Sequence, residues 1–150
     1  MPTNYLPAGY HCVIPYLAVH DAKVAIEFYK KAFGAEEVVR MPHPDGRIAH
    51  AELKIGDAHI MLADEFPEMG ARAPKTVGGT PVTIMIYVPN VDQVVERALA
   101  AGATLDRAVA DQFYGDRNGG VTDPFGHKWF VATHVKDVTP AEMKAAMANS

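Results

Sequence analysis

The chain of 150 residues has little of what several large protein classes require. Its one cysteine, Cys12, excludes an intrachain disulfide and any metal site built from several cysteines. No apolar run approaches the ~20 residues of a membrane-spanning helix, and the N-terminus has no basic segment followed by an apolar one. The sequence therefore predicts a soluble, cytoplasmic protein with no membrane partner.

Positive charge is also scarce. The net charge is -4 at pH 7, and the lysines and arginines are scattered along the chain instead of clustered. Such a chain has no basic field for nucleic acid, so we expect no nucleic-acid partner. With 49% hydrophobic residues, its length suits one compact domain or two small ones that share a core.

Hydrophobic periodicity predicts the order β-α-β-β-β twice. The first helix begins after Asp21 and ends at Gly34, and the second covers about 91–101 and ends at Gly102. Strands are predicted at 13–19, 36–41, 47–55 and 58–63 in the first half, and at 82–88, 103–112, 117–123 and 127–134 in the second. A further helix at 139–148, with a proline in its first turn, should cover a sheet edge or a partner.

The two halves match at one offset along the chain. Gly46 and Ala63 fall on Gly115 and Ala132, each 69 residues later. An internal repeat of this size indicates paired modules, here at about 11–65 and 81–135 with a connection at 66–80. Because a sheet with a helix on one face leaves its other face bare, we expect an α+β fold in which tandem βαβββ modules form one curved mixed sheet around a cleft, with the helices outside.

A tight Asp-Pro-Phe-Gly-His turn from Asp123 to His127 joins the last two strands. Together with the βαβββ duplication and the opening helix that ends in Phe33-Gly34, this turn resembles the vicinal oxygen chelate superfamily. That superfamily contains glyoxalases, bleomycin-resistance proteins and extradiol dioxygenases. The resemblance covers about 13–134 and implies a homodimer, since members commonly pair their modules between chains.

The resemblance also implies where a metal would be bound. In metal-using relatives, a His or Glu on the first and on the last strand of each module ligates a divalent ion. Those positions are Ile14, Met61, Thr83 and Phe130, and they pair by the repeat offset itself. None carries an imidazole or a carboxylate, so we expect no metal and no cofactor at the usual place.

Strand alternation divides the predicted strands into two faces. The face toward the helices should contain Val13, Pro15, Leu17, Val19, Ile60, Leu62, Val82, Ile84, Ile86, Val88, Trp129 and Val131. The opposite face should contain Ile14, Tyr16, His50, Glu52, His59, Met61, Thr83, Met85, Tyr87, Lys128 and Phe130. Apolar walls with a few polar groups are typical of a small-molecule pocket, and a subunit interface is the alternative.

Two sets of polar residues on or near this face suggest chemistry. His50 and Glu52 share a strand face, so they would act as acid and base or, with His59, as ligands of a relocated metal; such a pair is more often a cross-strand hydrogen bond or ion pair. Arg117 would clamp a carboxylate or phosphate. Alternatively it belongs to a hairpin in which Asn118 and Gly119 form the two-residue turn.

These features lead to two main functional hypotheses. The first is a metal-free protein that captures an aromatic or drug-like compound, similar to the drug-sequestering, antibiotic-resistance members of the family. Its walls would be Ile14, Tyr16, Met61, Thr83, Met85, Phe113 and Phe130, with His50, Glu52 and Arg117 as polar anchors. The second is a lyase or isomerase that uses His50 and Glu52 as acid and base or relocates its metal. A regulatory domain with an unused cleft is a third possibility.

Overall fold

The computed structural model describes residues 3–149, and the chain divides after Thr80 into two compact units. The first unit contains β1 (Tyr16–Val19), α1 (Ala22–Phe33), β2 (Glu36–Pro42), β3 (Ile48–Ile55), β4 (Ala58–Asp64), a 3₁₀ turn (Pro67–Met69) and α2 (Pro74–Val77). The second contains β5 (Thr83–Tyr87), α3 (Val91–Ala100), β6 (Thr104–Asp111), β7 (Asp116–Thr122), β8 (Lys128–His134) and α4 (Pro140–Ala148). Within residues 3–149, no helix is both long and apolar enough to span a bilayer.

Each unit forms its own mixed four-stranded sheet, in the orders β1-β4-β3-β2 and β5-β8-β7-β6. The first strand of each unit pairs in parallel with the last, and the remaining pairs are antiparallel. This arrangement confirms the predicted α+β class, the βαβββ order in both halves and the additional C-terminal helix. A single curved sheet that joins the two units stays a prediction.

Both long helices begin where the sequence predicts. Asp21 caps α1 by accepting a hydrogen bond from the backbone of Val24, and Asn90 caps α3 in the same way. A side chain at the end of the last strand adds a second anchor in each unit. The Asp64 carboxylate accepts from the backbone of Ala22 at 2.8 Å, and the Thr133 hydroxyl accepts from Val91 at 2.9 Å. The repeat therefore extends to the way each helix is fixed to its sheet.

Of the twelve predicted helix-facing residues, six are buried, and Pro15, Ile84, Ile86 and Val88 are half-buried. Leu17, Val19, Ile60, Leu62, Trp129 and Val131 are all buried. Val13 and Val82 are not, with exposed fractions of 82% and 62%, because β1 begins only at Tyr16 and β5 only at Thr83. The helix α4 has no buried residue along its described length, and its role as the cover of an edge or a partner stays a prediction.

The hairpin predicted at Asn118 and Gly119 is wrong. Both residues lie inside β7, opposite Ala132 and Val131. The turn instead falls four residues earlier, where Gly115 has a φ of 99° and donates to the carbonyl of Gln112 at 3.2 Å. Inside β7, a side chain at 119 would lie 2.8 Å from the Val109 methyl carbon on β6. Glycine serves there for close strand approach and not for a turn.

The Asp-Pro-Phe-Gly motif has a clear structural basis. One oxygen of the buried Asp123 carboxylate accepts from the backbones of Phe125 and His127, at 2.9 and 3.0 Å. Its other oxygen accepts from the Trp129 indole at 2.9 Å. One carboxylate thus fixes the turn and anchors the largest core side chain of the second unit.

Gly46 and Gly115 form a matched pair for testing the second hairpin, because both have a positive φ in equivalent turns. A Cβ at Gly46 meets nothing within 4 Å, whereas one at Gly115 would lie 2.1 Å from the Lys136 carbonyl. We expect Gly46→Ala to cost the ~1–2 kcal/mol of a left-handed alanine. Gly115→Ala should cost about 1–3 kcal/mol more, since the backbone at Lys136 must move. Urea unfolding of both variants checks this, and equal losses would contradict it.

Candidate functional site

A row of side chains crosses the sheet of the first unit on the face opposite α1. Tyr16 lies beside Met61 in the parallel pairing of β1 and β4, and Met61 lies opposite Glu52 on β3. His50, two residues before Glu52, shares the same face. The sequence prediction that Tyr16, His50, Glu52 and Met61 lie on one face is therefore confirmed by the register.

Hydrogen bonds join three of these residues into a chain. His50 Nε2 lies 2.8 Å from Glu52 Oε2, and His50 Nδ1 lies 2.7 Å from the Tyr16 hydroxyl. Glu52 is largely buried and His50 partly so, with side-chain exposures of 14% and 22%. The pair is therefore one part of a connected polar network, and more than a surface ion pair.

Tyr10 completes the network, and sequence analysis missed it. Its hydroxyl donates to the second Glu52 oxygen, and its ring stacks on His59 with centroids 3.8 Å apart. Tyr10 comes from the segment before β1, which no strand or helix pattern predicts. The neighbouring His11 is bonded to the Asp57 carbonyl at 3.0 Å, which holds this segment across the end of the sheet.

The charges of the network are set by these bonds. The pKa of the Glu52 carboxyl lies below its usual range because Tyr10, and then His50, hydrogen-bond to its ionised form. The pKa of Tyr10 is raised by the same bond to Glu52. Burial raises the pKa of Tyr16, and the Glu52 charge adds to the effect. The site at neutral pH thus contains a carboxylate and two protonated phenols.

An open cleft of about 650 Å³ lies beside Tyr16 in the first unit. Three alanines, Ala18, Ala49 and Ala63, leave room at its base. The rim includes His43, Phe66, Met69 and Arg72. The connection at 66–80, treated only as a linker in the sequence, thus supplies one side of the cleft.

Two local features lie beside this cleft. Pro42 pairs with Ile48 and Met41 with His50, so Ala49 is an extra, unpaired residue on β3. Such a bulge changes which way the neighbouring side chains point. On the rim, the Arg47 guanidinium covers the Phe66 ring at 3.8 Å from its centroid. Neither the bulge nor the stack has a signal in the sequence pattern.

The predicted site residues separate between the two units. Tyr16, His50, Glu52 and Met61 lie together in the first, and the half-buried Ile14 lies two residues before β1. In the second unit, Thr83 and Phe130 line a shallow hollow of about 230 Å³, and Met85 pairs with Phe130. Phe113 is exposed in the hairpin beside Tyr114, with centroids 5.2 Å apart.

Arg117 is already engaged by carboxylates. Its guanidinium contacts both oxygens of Asp92 at 2.9 Å and Asp111 at 3.2 Å. These two pairs raise its pKa further above its usual high value. Binding of a ligand anion at Arg117 would therefore compete with a bidentate pair between β7 and α3.

His134 forms a separate network at the end of β8. Its Nδ1 lies 2.8 Å from the buried Asp116 carboxylate, and its Nε2 lies 2.7 Å from Asp137. Tyr87 donates to the other Asp116 oxygen at 2.7 Å. The bond to Asp116, and then that to Asp137, raises the pKa of His134 and favours its charged form. This network connects β8 to the segment that leads into α4.

The residues present do not fit a divalent metal. The family positions carry an aliphatic chain, a thioether, a hydroxyl and a phenyl ring at Ile14, Met61, Thr83 and Phe130, and none matches the donors such ions need. The relocated set of His50, Glu52 and His59 gains no support either. Among residues 3–149, no three His, Cys, Asp or Glu side chains are grouped to hold an ion.

The fold and site together define a paired βαβββ protein with a cleft on one sheet face. A family model for the Glyoxalase/Bleomycin resistance protein/Dioxygenase superfamily matches residues 10–131. The chain belongs to this superfamily, as the resemblance in its sequence indicates.

Similar proteins extend this result over nearly the whole chain. An uncharacterized protein of Mycobacterium bovis is 49% identical over 152 residues, which cover 99% of this chain and 97% of that protein. The solved structure of TioX from Micromonospora sp. ML1 is 26% identical with a TM-score of 0.65, covering 86% of this chain and 100% of TioX. A gene product of Arabidopsis thaliana is 27% identical with a TM-score of 0.63, covering 82% of this chain and 98% of its own.

Tyr10→Phe tests the network that sets the charge of Glu52. The variant keeps the ring on His59 but removes the hydrogen bond that most lowers the Glu52 pKa, so that pKa should rise. Carbon NMR titration of the Glu52 carboxyl measures the change. Because the Glu52 pKa is depressed by folding, its contribution to stability exists above the unfolded pKa and is lost as the pH falls through the folded value.

The stability difference between wild type and Tyr10→Phe should therefore disappear in acid. Tyr5→Phe is the matched control, since Tyr5 is 91% exposed. An unchanged Glu52 pKa in Tyr10→Phe would contradict this description of the site.

Proposed function

We propose that this protein binds a small aromatic or drug-like molecule in the cleft of its first unit, without a metal. The observation that carries the proposal is the cleft itself, which lies over small side chains and beside the ring of Tyr16. Its volume of about 650 Å³ falls within the ~300–1,000 Å³ common for ligand sites.

The chemistry of the lining favours a flat, largely apolar compound. Alanines at the base admit a ring close to the sheet, and Tyr16, Phe66 and Met69 offer aromatic and thioether surfaces for stacking. Polar groups are few, which is the usual composition of a site that recognises an aromatic body and one or two functional groups.

A second candidate is a lyase or isomerase that moves a proton within the same cleft. The observation in its favour is the bond of 2.8 Å between His50 and Glu52, which orients the imidazole as a carboxylate does in many acid–base sites. The two functions differ in their outcome. A binding protein returns its ligand unchanged at one molecule per site, whereas an enzyme converts many.

Three further expectations remain predictions with this proposal: a homodimer, a cytoplasmic location, and a role in resistance to an antibiotic. The boundaries of the two modules and their shared cleft belong with them. Size-exclusion chromatography with light scattering tests the dimer, and a growth assay with and without the gene tests the resistance.

Ala49→Leu tests the location of the ligand. Leucine at this exposed base position would fill the cleft, so affinity for 2-naphthol, a planar aromatic probe, should fall at least tenfold in isothermal titration. Ala110→Leu on β6 is the matched control, because Ala110 is likewise exposed on a strand but does not line this cleft. Both variants are compared by circular dichroism first.

Absence of saturable binding by the wild-type protein would contradict the proposed function. Equal binding by wild type and Ala49→Leu would show that the ligand binds elsewhere. If the protein releases the probe or a substrate analogue in chemically altered form, that result would support the acid–base enzyme instead.

A further inference from the structure

The hydrogen bonds of the network have a fixed direction, and this direction decides what the cleft recognises. Glu52 is a carboxylate and accepts hydrogen bonds only. Both its oxygens are occupied, one by the Tyr10 hydroxyl and the other by His50 Nε2 at 2.8 Å. The imidazole must therefore donate from Nε2.

The direction continues to Tyr16. A neutral imidazole that carries its proton on Nε2 has a lone pair on Nδ1. The Tyr16 hydroxyl lies 2.7 Å from Nδ1, so with this tautomer of the neutral imidazole it donates its one proton to that lone pair. What remains on the phenolic oxygen is acceptor capacity, with no proton left for a ligand.

No other titratable side chain in this row disturbs that polarity. On β2, the residues paired with His50 and Glu52 are Met41 and Val39, which carry no charge. On β4, His59 is covered by the Tyr10 ring, and its Nδ1 has no partner among the described residues. The direction of the bonds thus depends on the Glu52 charge.

The acid that lines the cleft, Asp64, also presents only acceptors. Asp64 accepts from the backbones of Ala22 at 2.8 Å and Ile48 at 2.6 Å, so it contributes lone pairs and no donor. Arg72 on the rim is the opposite kind of group, an exposed cation that favours ligand acceptors and anions. The wall formed by Tyr16 and Asp64 favours a ligand donor.

We infer that the cleft selects aromatic compounds that present an O–H or N–H donor to the Tyr16 oxygen over compounds of the same shape that present only acceptors. This inference rests on the proposed binding function. It assigns Tyr16 as the residue that determines specificity, with His50 and Glu52 as positioning residues that keep its proton away from the ligand.

The test compares 2-naphthol with 2-methoxynaphthalene, which has the same ring system but no donor, in isothermal titration at neutral pH. Neither probe is charged, so Arg72 does not distinguish them. The wild-type protein should bind 2-naphthol about fivefold more tightly, as expected for one neutral hydrogen bond. Tyr16→Phe should bind both equally, while its affinity for 2-methoxynaphthalene is kept.

Glu52→Gln tests the direction of the bonds without changing Tyr16. The amide offers an N–H to His50, which favours the other imidazole tautomer and releases the Tyr16 proton toward the cleft. The two probes should then bind this variant with about equal affinity. Tyr5→Phe is the control and should keep the wild-type preference, because it also loses a phenolic hydroxyl but far from any described contact.

The outcomes separate the inference from the function beneath it. Binding of both probes to the wild type with equal affinity would overturn the inference and leave the proposed function standing. Binding of neither probe would overturn the proposed function. If Tyr16→Phe still prefers 2-naphthol, the assignment of specificity to Tyr16 is overturned. If Glu52→Gln still prefers 2-naphthol, the fixed direction of the hydrogen bonds is overturned. The exposed Tyr16 ring, at 54%, makes Tyr16→Phe safe for folding, and thermal unfolding confirms it.

Discussion

The ionised carboxylate of Glu52 is the interaction on which the candidate site depends. A largely buried carboxylate is costly unless its oxygens are satisfied, and here two different parts of the chain supply the donors. Tyr10 comes from the segment before the first strand, and His50 comes from the strand of Glu52 itself. One charge therefore holds the N-terminal segment across the sheet and orients an imidazole toward Tyr16.

The second unit shows that the polar network depends on the side chains and not on the fold alone. Pairing with β8 places Gly120 where β3 has Glu52, and Asn118 where β3 has His50. Gly120 lies between Phe130 and Arg107, and the Arg107 guanidinium leans over the Phe130 ring at 5.8 Å. The corresponding row of the second sheet therefore has a stacked cation where the first has an anion with its donors.

The same comparison explains what the sequence could and could not predict. A period of two along strands and a constant repeat offset suffice to place Tyr16, His50 and Glu52 on one face, because both follow from backbone geometry. The offset is 69 residues from Met61 to Phe130 but 68 from Glu52 to Gly120. Bulges and loops absorb the difference, and Ala49 is one such extra residue. A bulge depends on tertiary pairing, so no local pattern reveals it.

Tyr10, Phe66 and Arg72 lie beyond prediction for a related reason. Each belongs to a segment without regular structure, where no periodicity relates sequence position to direction in space. The hairpin expected at Asn118 and Gly119 failed in the opposite way, since a strong local turn signal gave way to close packing between strands.

The absence of metal-ligand side chains at the family positions changes what the cleft can do. A divalent ion would attract oxygen acceptors of a ligand, because its positive charge favours lone pairs and anions. Here the corresponding row is built around Met61, and the Glu52 carboxylate holds His50, which in turn contacts the Tyr16 oxygen. An acceptor at the wall would attract a ligand donor instead. The inferred selectivity thus follows from a carboxylate network that takes the place of a cation on the same backbone.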